Sequence, residues 1–177
     1  MDVGLRSDIG NDKHMGKSHR PGCDPLKPVF RIETVLNGRE RPVMPLIAIL
    51  IEDSETIRDN LIPAMAELAD IRVIAIAETA AEALASIDEH GEAWDLAVVD
   101  LFLKAGSGLT VLRACQRRAA HQQVVVLTNY PTPEMRRHCL LLGADAVFDK
   151  STELEAFFEH CSSHGPRRAS APRRRVR

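Results

Sequence analysis

Between Leu46 and Ser163 the chain repeats one pattern five times: a short apolar run, a polar turn, then a segment with apolar residues every three or four positions. The runs are Leu46–Ile51, Ile71–Ala77, Leu96–Val99, Gln123–Leu127 and Ala146–Phe148, all rich in β-branched or aliphatic residues. Runs this short and this continuous read as strands buried on both faces, as in a parallel sheet. The segments between them predict amphipathic helices. Their inward positions are Ile57, Leu61, Met65 and Leu68; Ala80, Leu84 and Ile87; Leu109, Leu112 and Cys115; Met135, Cys139 and Leu142; and Leu154, Phe157, Phe158 and Cys161. Ser54, Thr79 and either Ser151 or Thr152 are expected to cap helix starts, and Gly143 to close the fourth helix opened by Pro131 and Pro133. Pro63 removes a backbone donor and is expected to interrupt or kink the first helix.

Five βα units with right-handed crossovers imply an α/β protein, a doubly wound five-stranded parallel sheet with helices on both faces. In the flavodoxin-like strand order 2-1-3-4-5, counted from Leu46, the first and third strands are neighbours and the topological switch lies between them. The carboxyl ends of the strands then converge. Glu52 and Asp53 follow the first, Asp100 the third, Thr128 the fourth and Lys150 the fifth, so three acids, a hydroxyl and an ammonium share one cleft.

Charge marks the boundaries. Residues 1–44 carry 8 Lys/Arg against 6 Asp/Glu, residues 45–163 carry 9 against 19, and residues 164–177 carry 6 against none. Residues 1–44 lack a helical or strand period and are expected to be disordered, apart from Val29–Leu36 before Asn37-Gly38, which suits a strand or hairpin. Met44, directly before the first core strand, offers an alternative start. Residues 164–177 are expected to form a basic disordered tail, with Arg167, Arg168, Arg173, Arg174, Arg175 and Arg177 solvated. No aromatic residues are interleaved among them, so contact with nucleic acid is not expected. The apolar runs fall short of the roughly 20 residues of a membrane span, and no signal-peptide pattern opens the chain, so a cytoplasmic protein without membrane insertion is expected. Cys23, Cys115, Cys139 and Cys161 are too scattered for a zinc site or a disulfide framework.

Residues 45–163 resemble the CheY-like receiver domain of two-component response regulators. The resemblance rests on Glu52-Asp53, Asp100, Thr128 and Lys150, spaced 47, 28 and 22 residues from Asp53 onward, with Gly108 and Gly143-Ala144-Asp145 in support. It implies that Asp100 is a phosphoacceptor and that Thr128 and Lys150 bind the phosphoryl group. Three carboxylates in one cleft favour a hard dication, and Mg²⁺ takes oxygen ligands while keeping several waters. Its expected ligands are Asp53, Asp100, the backbone carbonyl of Phe102, and Glu52 directly or through water. The transferred group's charge would be met by Mg²⁺, Lys150 and Thr128.

Three departures from the family stand out. Asp149-Lys150-Ser151-Thr152 replaces the usual Lys-Pro, which should affect only the turn. Val147 occupies the switch position that is usually aromatic, while Phe148, by strand alternation, should face the other way. Asn129 replaces a small residue, and with Phe102 and Tyr130 it forms a bulky cleft rim that should slow self-hydrolysis.

The expected function is a stand-alone receiver that takes its phosphoryl group from a sensor histidine kinase or phosphotransfer protein and signals to a downstream protein target by contact. It is not expected to be an enzyme beyond self-phosphorylation and slow autodephosphorylation. One helical face cannot bury all of Leu140, Leu141 and Leu142, and with Arg136 and Arg137 they suggest a docking patch or a homodimer through the fourth helix, fifth strand and fifth helix. A degenerate receiver that only binds a partner is the main alternative. A Mg²⁺-dependent phosphohydrolase with an aspartyl nucleophile is the other; the haloacid dehalogenase arrangement needs a second acid two residues after the nucleophile, where this chain has Phe102.

Overall fold

The computed structural model describes residues 31–33 and 41–163. The expectations for Cys23 and for residues 164–177 lie outside the described residues, as do most of those for residues 1–44. Within that first segment, β1 (Arg31–Glu33), inside Val29–Leu36, pairs antiparallel with β2 (Arg41–Val43), which lies beyond Asn37-Gly38.

The remaining elements are β3 (Leu46–Ile51), α1 (Glu55–Ala69), β4 (Ile71–Ala77), α2 (Ala80–His90), β5 (Leu96–Val99), α3 (Gly108–Ala114), β6 (Gln123–Thr128), α4 (Pro133–Leu141), β7 (Ala146–Asp149) and α5 (Leu154–Ser163). The five later strands form one parallel sheet in the order β4-β3-β5-β6-β7, which is the expected winding.

Period-two alternation divides the core into two layers. Ile49, Ile51, Ala97, Val99, Val124, Val126 and Val147 face Ala83 of α2, Val111 and Leu112 of α3 and Cys139 of α4. Leu46, Ala48, Leu50, Leu96, Val98, Val125 and Leu127 face Leu61 and Met65 of α1 and Phe157 and Cys161 of α5. Every residue of β5 is buried, because helices cover it on both sides. Trp94, just before β5, is sealed in the first layer, and its indole N–H has no hydrogen-bond partner among the described residues. On the edge strand β4, the register with β3 shifts between Ala48 and Ile49, which leaves Ile74 as the extra residue of a bulge.

Local sequence accounts for most element ends. Ser54 accepts from the Ile57 N–H at the start of α1, and Thr79 forms a reciprocal capping box with Glu82 at α2. Pro133 stands in the first turn of α4 behind Thr132, and Gly143 follows that helix at φ 102°.

Several expectations need correction. The first helix runs unbroken through Pro63. Leu68 is 62% exposed, because the buried ridge steps by four from Leu61 through Met65 to Ala69. Leu84 is only half-buried. Leu154 is exposed at the open end of α5, and neither Ser151 nor Thr152 caps that helix. Instead the Ser151 N–H donates to Asp149 Oδ1 at 2.7 Å, a bond that proline at residue 151 could not make. The N–H of Phe157 donates to the carbonyl of Glu153, which places the helix start one or two residues later than expected. No helix among the described residues is long and apolar enough to cross a membrane.

Candidate functional site

The carboxyl ends of β3, β5, β6 and β7 bring five predicted residues together. Asp100 leaves β5 with its backbone N–H bonded to the Ile51 carbonyl, and its side chain is buried beneath the strand ends. Both carboxylate oxygens are engaged. Oδ1 accepts from Thr128 Oγ1 at 2.7 Å and from the Phe102 N–H at 3.3 Å, while Oδ2 accepts from Lys150 Nζ at 2.6 Å. Lys150 Nζ also donates to Glu52 Oε2, so one ammonium spans two buried carboxylates. The Lys150 N–H donates to the Thr128 carbonyl at 2.9 Å, which ties the two donors together through their backbones.

Glu52 is buried, and its other oxygen accepts the Ser54 N–H at 3.1 Å. Burial lifts its carboxyl above the ordinary value, and the hydrogen bond and charge of Lys150 oppose that rise. Asp53 stands beside it, half-buried. Glu52, Asp53 and Asp100 each offer an oxygen within 4.8 Å of the others. Direct ligands of an octahedral Mg²⁺ at about 2.1 Å would lie about 3–4 Å apart, so this all-oxygen set is close enough to share the ion.

Gly108 explains the loop after Asp100. A Cβ there would lie 2.1 Å from the Asp100 carbonyl oxygen, so α3 can begin against the end of β5 only on a glycine. The adjoining Gly106 packs on Ala80 at φ 80°, and the Ala80 N–H bonds to the Ala105 carbonyl, fastening this loop to α2.

Val147 is buried in the layer under α4, and Phe148 points into the opposite layer against Phe157, as alternation requires. At the rim, Phe102 is 66% and Tyr130 83% exposed, and Asn129 is exposed beside them. Neither ring covers the sheet end. Beside Lys150, a cavity of about 360 Å³ opens between Ile57 and Leu61 of α1 and Leu154 and Phe158 of α5.

Sequence reasoning missed two arginines. Arg58, in the second turn of α1, donates to the Glu52 carbonyl at 2.9 Å and pairs with Glu78, which Lys104 also reaches. Its place five residues after the acid pair was the available signal. Arg136, grouped above with an exposed docking patch, instead turns inward to the Val147 carbonyl at 2.6 Å and to Glu153. Leu140 and Leu141 are exposed together with Arg137, whose pairing with Glu134 stays within α4.

The three described cysteines are buried free thiols. Burial pushes Cys115 up to about 11 and Cys161 to about 12, and raises Cys139 as well, so they are packing residues rather than nucleophiles.

Comparison with known proteins agrees with this geometry. The chain is 28% identical over 101 residues to the DNA-binding transcriptional activator DevR/DosR of Mycobacterium tuberculosis, a match covering 57% of this chain and 46% of that protein. It thus spans less than half the length of that relative. A DNA-binding response regulator of the LuxR family from Staphylococcus aureus is similar in structure, with a TM-score of 0.60 at 18% identity over 67% of this chain and 98% of that one. So is the CheX-CheY-BeF3-Mg complex of Borrelia burgdorferi, with a TM-score of 0.55 at 17% identity over 66% and 89%. At those identities the likeness is one of fold. The response regulator receiver domain profile matches residues 48–162, which takes in every residue of the cleft, and the chain therefore belongs to the response regulator receiver domain family.

Proposed function

We propose that this receiver accepts a phosphoryl group on Asp100 from a sensor histidine kinase or phosphotransfer protein, in a Mg²⁺-dependent reaction, and passes the signal on by protein contact. One observation carries the reading: a single buried carboxylate is bracketed by a hydroxyl on one oxygen and an ammonium on the other, with two further acids beside it. That is more cationic and hydroxyl donation than an inert capping aspartate needs.

In the transfer, a carboxylate oxygen of Asp100 forms a bond to phosphorus as the P–N bond of a donor phosphohistidine breaks. The imidazole leaves with the electron pair and gains a proton from solvent. Asp53 and Asp100, with the Phe102 carbonyl and with Glu52 through water, would hold Mg²⁺, which would offset negative charge gathering on the phosphoryl oxygens. Lys150 and Thr128 already donate to Asp100, so each needs only a small shift to reach those oxygens instead. On this reading the domain's own chemistry is self-phosphorylation from small donors and slow loss of the group.

The test is intact-mass measurement of the full chain after incubation with acetyl phosphate and Mg²⁺. A single phosphoryl addition that Asp100→Asn abolishes is expected. An addition that survives Asp100→Asn would refute Asp100 as the acceptor, and no addition in the wild type would favour a phosphorylation-independent binding module.

A further inference from the structure

Thr128 and Lys150 must hold their distances to one carboxylate, yet they stand at the heads of two separate connections, β6–α4 and β7–α5. Their strand ends share one backbone bond. Beyond it, the β6–α4 connection passes through Tyr130 at φ 53°, a left-handed conformation unusual for a residue with a side chain, before reaching Pro131. The β7–α5 turn is closed by Glu153, whose Oε2 accepts the Asp149 N–H at 2.7 Å.

One side chain reaches both connections. Arg136 Nε donates to the Pro131 carbonyl at 3.3 Å, Nη1 to the Val147 carbonyl at 2.6 Å, and Nη2 to Glu153 Oε2 at 2.6 Å. All three guanidinium nitrogens are used, on three partners from three different segments. We propose that Arg136 is a positioning residue for the acceptor site: its guanidinium clamps the loop after Thr128 against the strand and turn that present Lys150, and so sets where the hydroxyl and the ammonium can meet a phosphoryl group.

Three features support the assignment. A planar fork can serve three divergent acceptors, and a lysine in the same place cannot. The Val147 side chain is a hydrocarbon, so the polar link between α4 and β7 runs through its carbonyl and Arg136. The Arg136–Glu153 pair has side chains about a third exposed (32% and 37%), so it adds little to overall stability, and its effect on geometry is separable from its effect on folding. The clamp touches neither Glu52 nor Asp53, so it acts on the phosphoryl-binding half of the cleft and not on the cation-binding half.

The inference rests on Asp100 being the acceptor, and the experiment separates the two ideas. The full chain, Arg136→Lys, Glu153→Gln and the double variant are titrated first with Mg²⁺ alone, then with beryllium trifluoride, a phosphoryl mimic, at saturating Mg²⁺. Mg²⁺ affinity is expected to stay within about twofold in every variant, since its ligands are untouched. Beryllium trifluoride affinity is expected to fall about tenfold in each single variant, the loss typical of one charge-assisted hydrogen bond. The double variant is expected to lose no more than about twofold beyond either single, because both changes release the same clamp. Glu153→Gln keeps an acceptor for the Asp149 N–H, so it remains informative should Arg136→Lys fold poorly. Equal losses of both affinities would mark a merely structural role and overturn the proposal, as would folded variants that bind the mimic like wild type. A wild type that binds Mg²⁺ but not the mimic would overturn the acceptor reading, and the clamp with it.

Discussion

Lys150→Met removes the ammonium that faces Glu52 and Asp100 and leaves their carboxylates buried without it. The side chains of Lys150, Glu52 and Asp100 are 7%, 2% and 7% exposed, so solvent offers little relief. Breaking a buried pair by deleting one partner costs about 3–5 kcal/mol, because the remaining charge keeps its desolvation penalty. In a domain of this size that lowers the thermal midpoint by on the order of 10–20 °C. The pH dependence follows from Glu52, whose carboxyl burial already lifts above its ordinary 4.5 against the opposing pull of Lys150. Without Lys150 the folded-state value rises further. Between the unfolded and folded values, the folded state binds a proton that the unfolded chain does not, so stability falls as pH rises through that window. The deficit is therefore full above the raised value and shrinks as pH falls toward 4.5. Thermal unfolding of variant and wild type at pH 8 and pH 5, followed by circular dichroism, measures the difference at each pH, and effects common to both proteins cancel. A variant as stable as wild type at pH 8, or a deficit that does not change with pH, would refute the argument.

Three further outcomes are expected. Gly108→Ala should cost about 1–3 kcal/mol in urea unfolding, because its methyl meets Asp100 backbone rather than a flexible side chain, and a change below about 0.5 kcal/mol would contradict the close approach. In wild type, Mg²⁺ at 100 times its dissociation constant should add about 2.7 kcal/mol of stability, and Asp53→Asn should abolish that gain in thermal shift; a variant that keeps it would remove Asp53 from the ligand set. Cys115, Cys139 and Cys161 should resist a thiol reagent at pH 8 until the chain unfolds, with native-state labelling read by peptide mass; prompt labelling of any of them would show that its burial is transient.

The sheet was legible because each strand is an apolar run with a defined polar end, and right-handed crossovers leave few ways to order five such units. The cleft followed from the same fact, since Glu52, Asp53, Asp100, Thr128 and Lys150 all stand just where an apolar run stops. Helix faces were less legible. Leu68 and Ala69 are both plausible inward residues by periodicity, and only the crossing of α1 over the sheet selects the smaller one. Ser151 was a reasonable cap by type, but the Phe157 N–H reaches the Glu153 carbonyl, so α5 starts at Leu154, beyond the reach of a cap at 151. The inward contacts of Arg136 and Arg58 were not read because part of their bonding goes to the backbone carbonyls of Val147 and Glu52, which carry no residue-type signal, and the rest to Glu153 and Glu78, distant in sequence. An arginine on a polar helix face reads as solvated until the carbonyls beneath it are placed.

Trp94 has a practical consequence. It is the single tryptophan of the chain, it is 1% exposed, and it sits one residue before Asp95 at the foot of the strand that ends in Asp100. With its N–H unpaired among the described residues and hydrocarbon around it, the indole should emit at short wavelength in the native state and shift to the red when water reaches it. The protein thus carries a built-in optical gauge of its own core, readable in the unlabelled chain. The unfolding and Mg²⁺-protection experiments above can be followed from that one ring, with no reporter added to the surface that partners would touch.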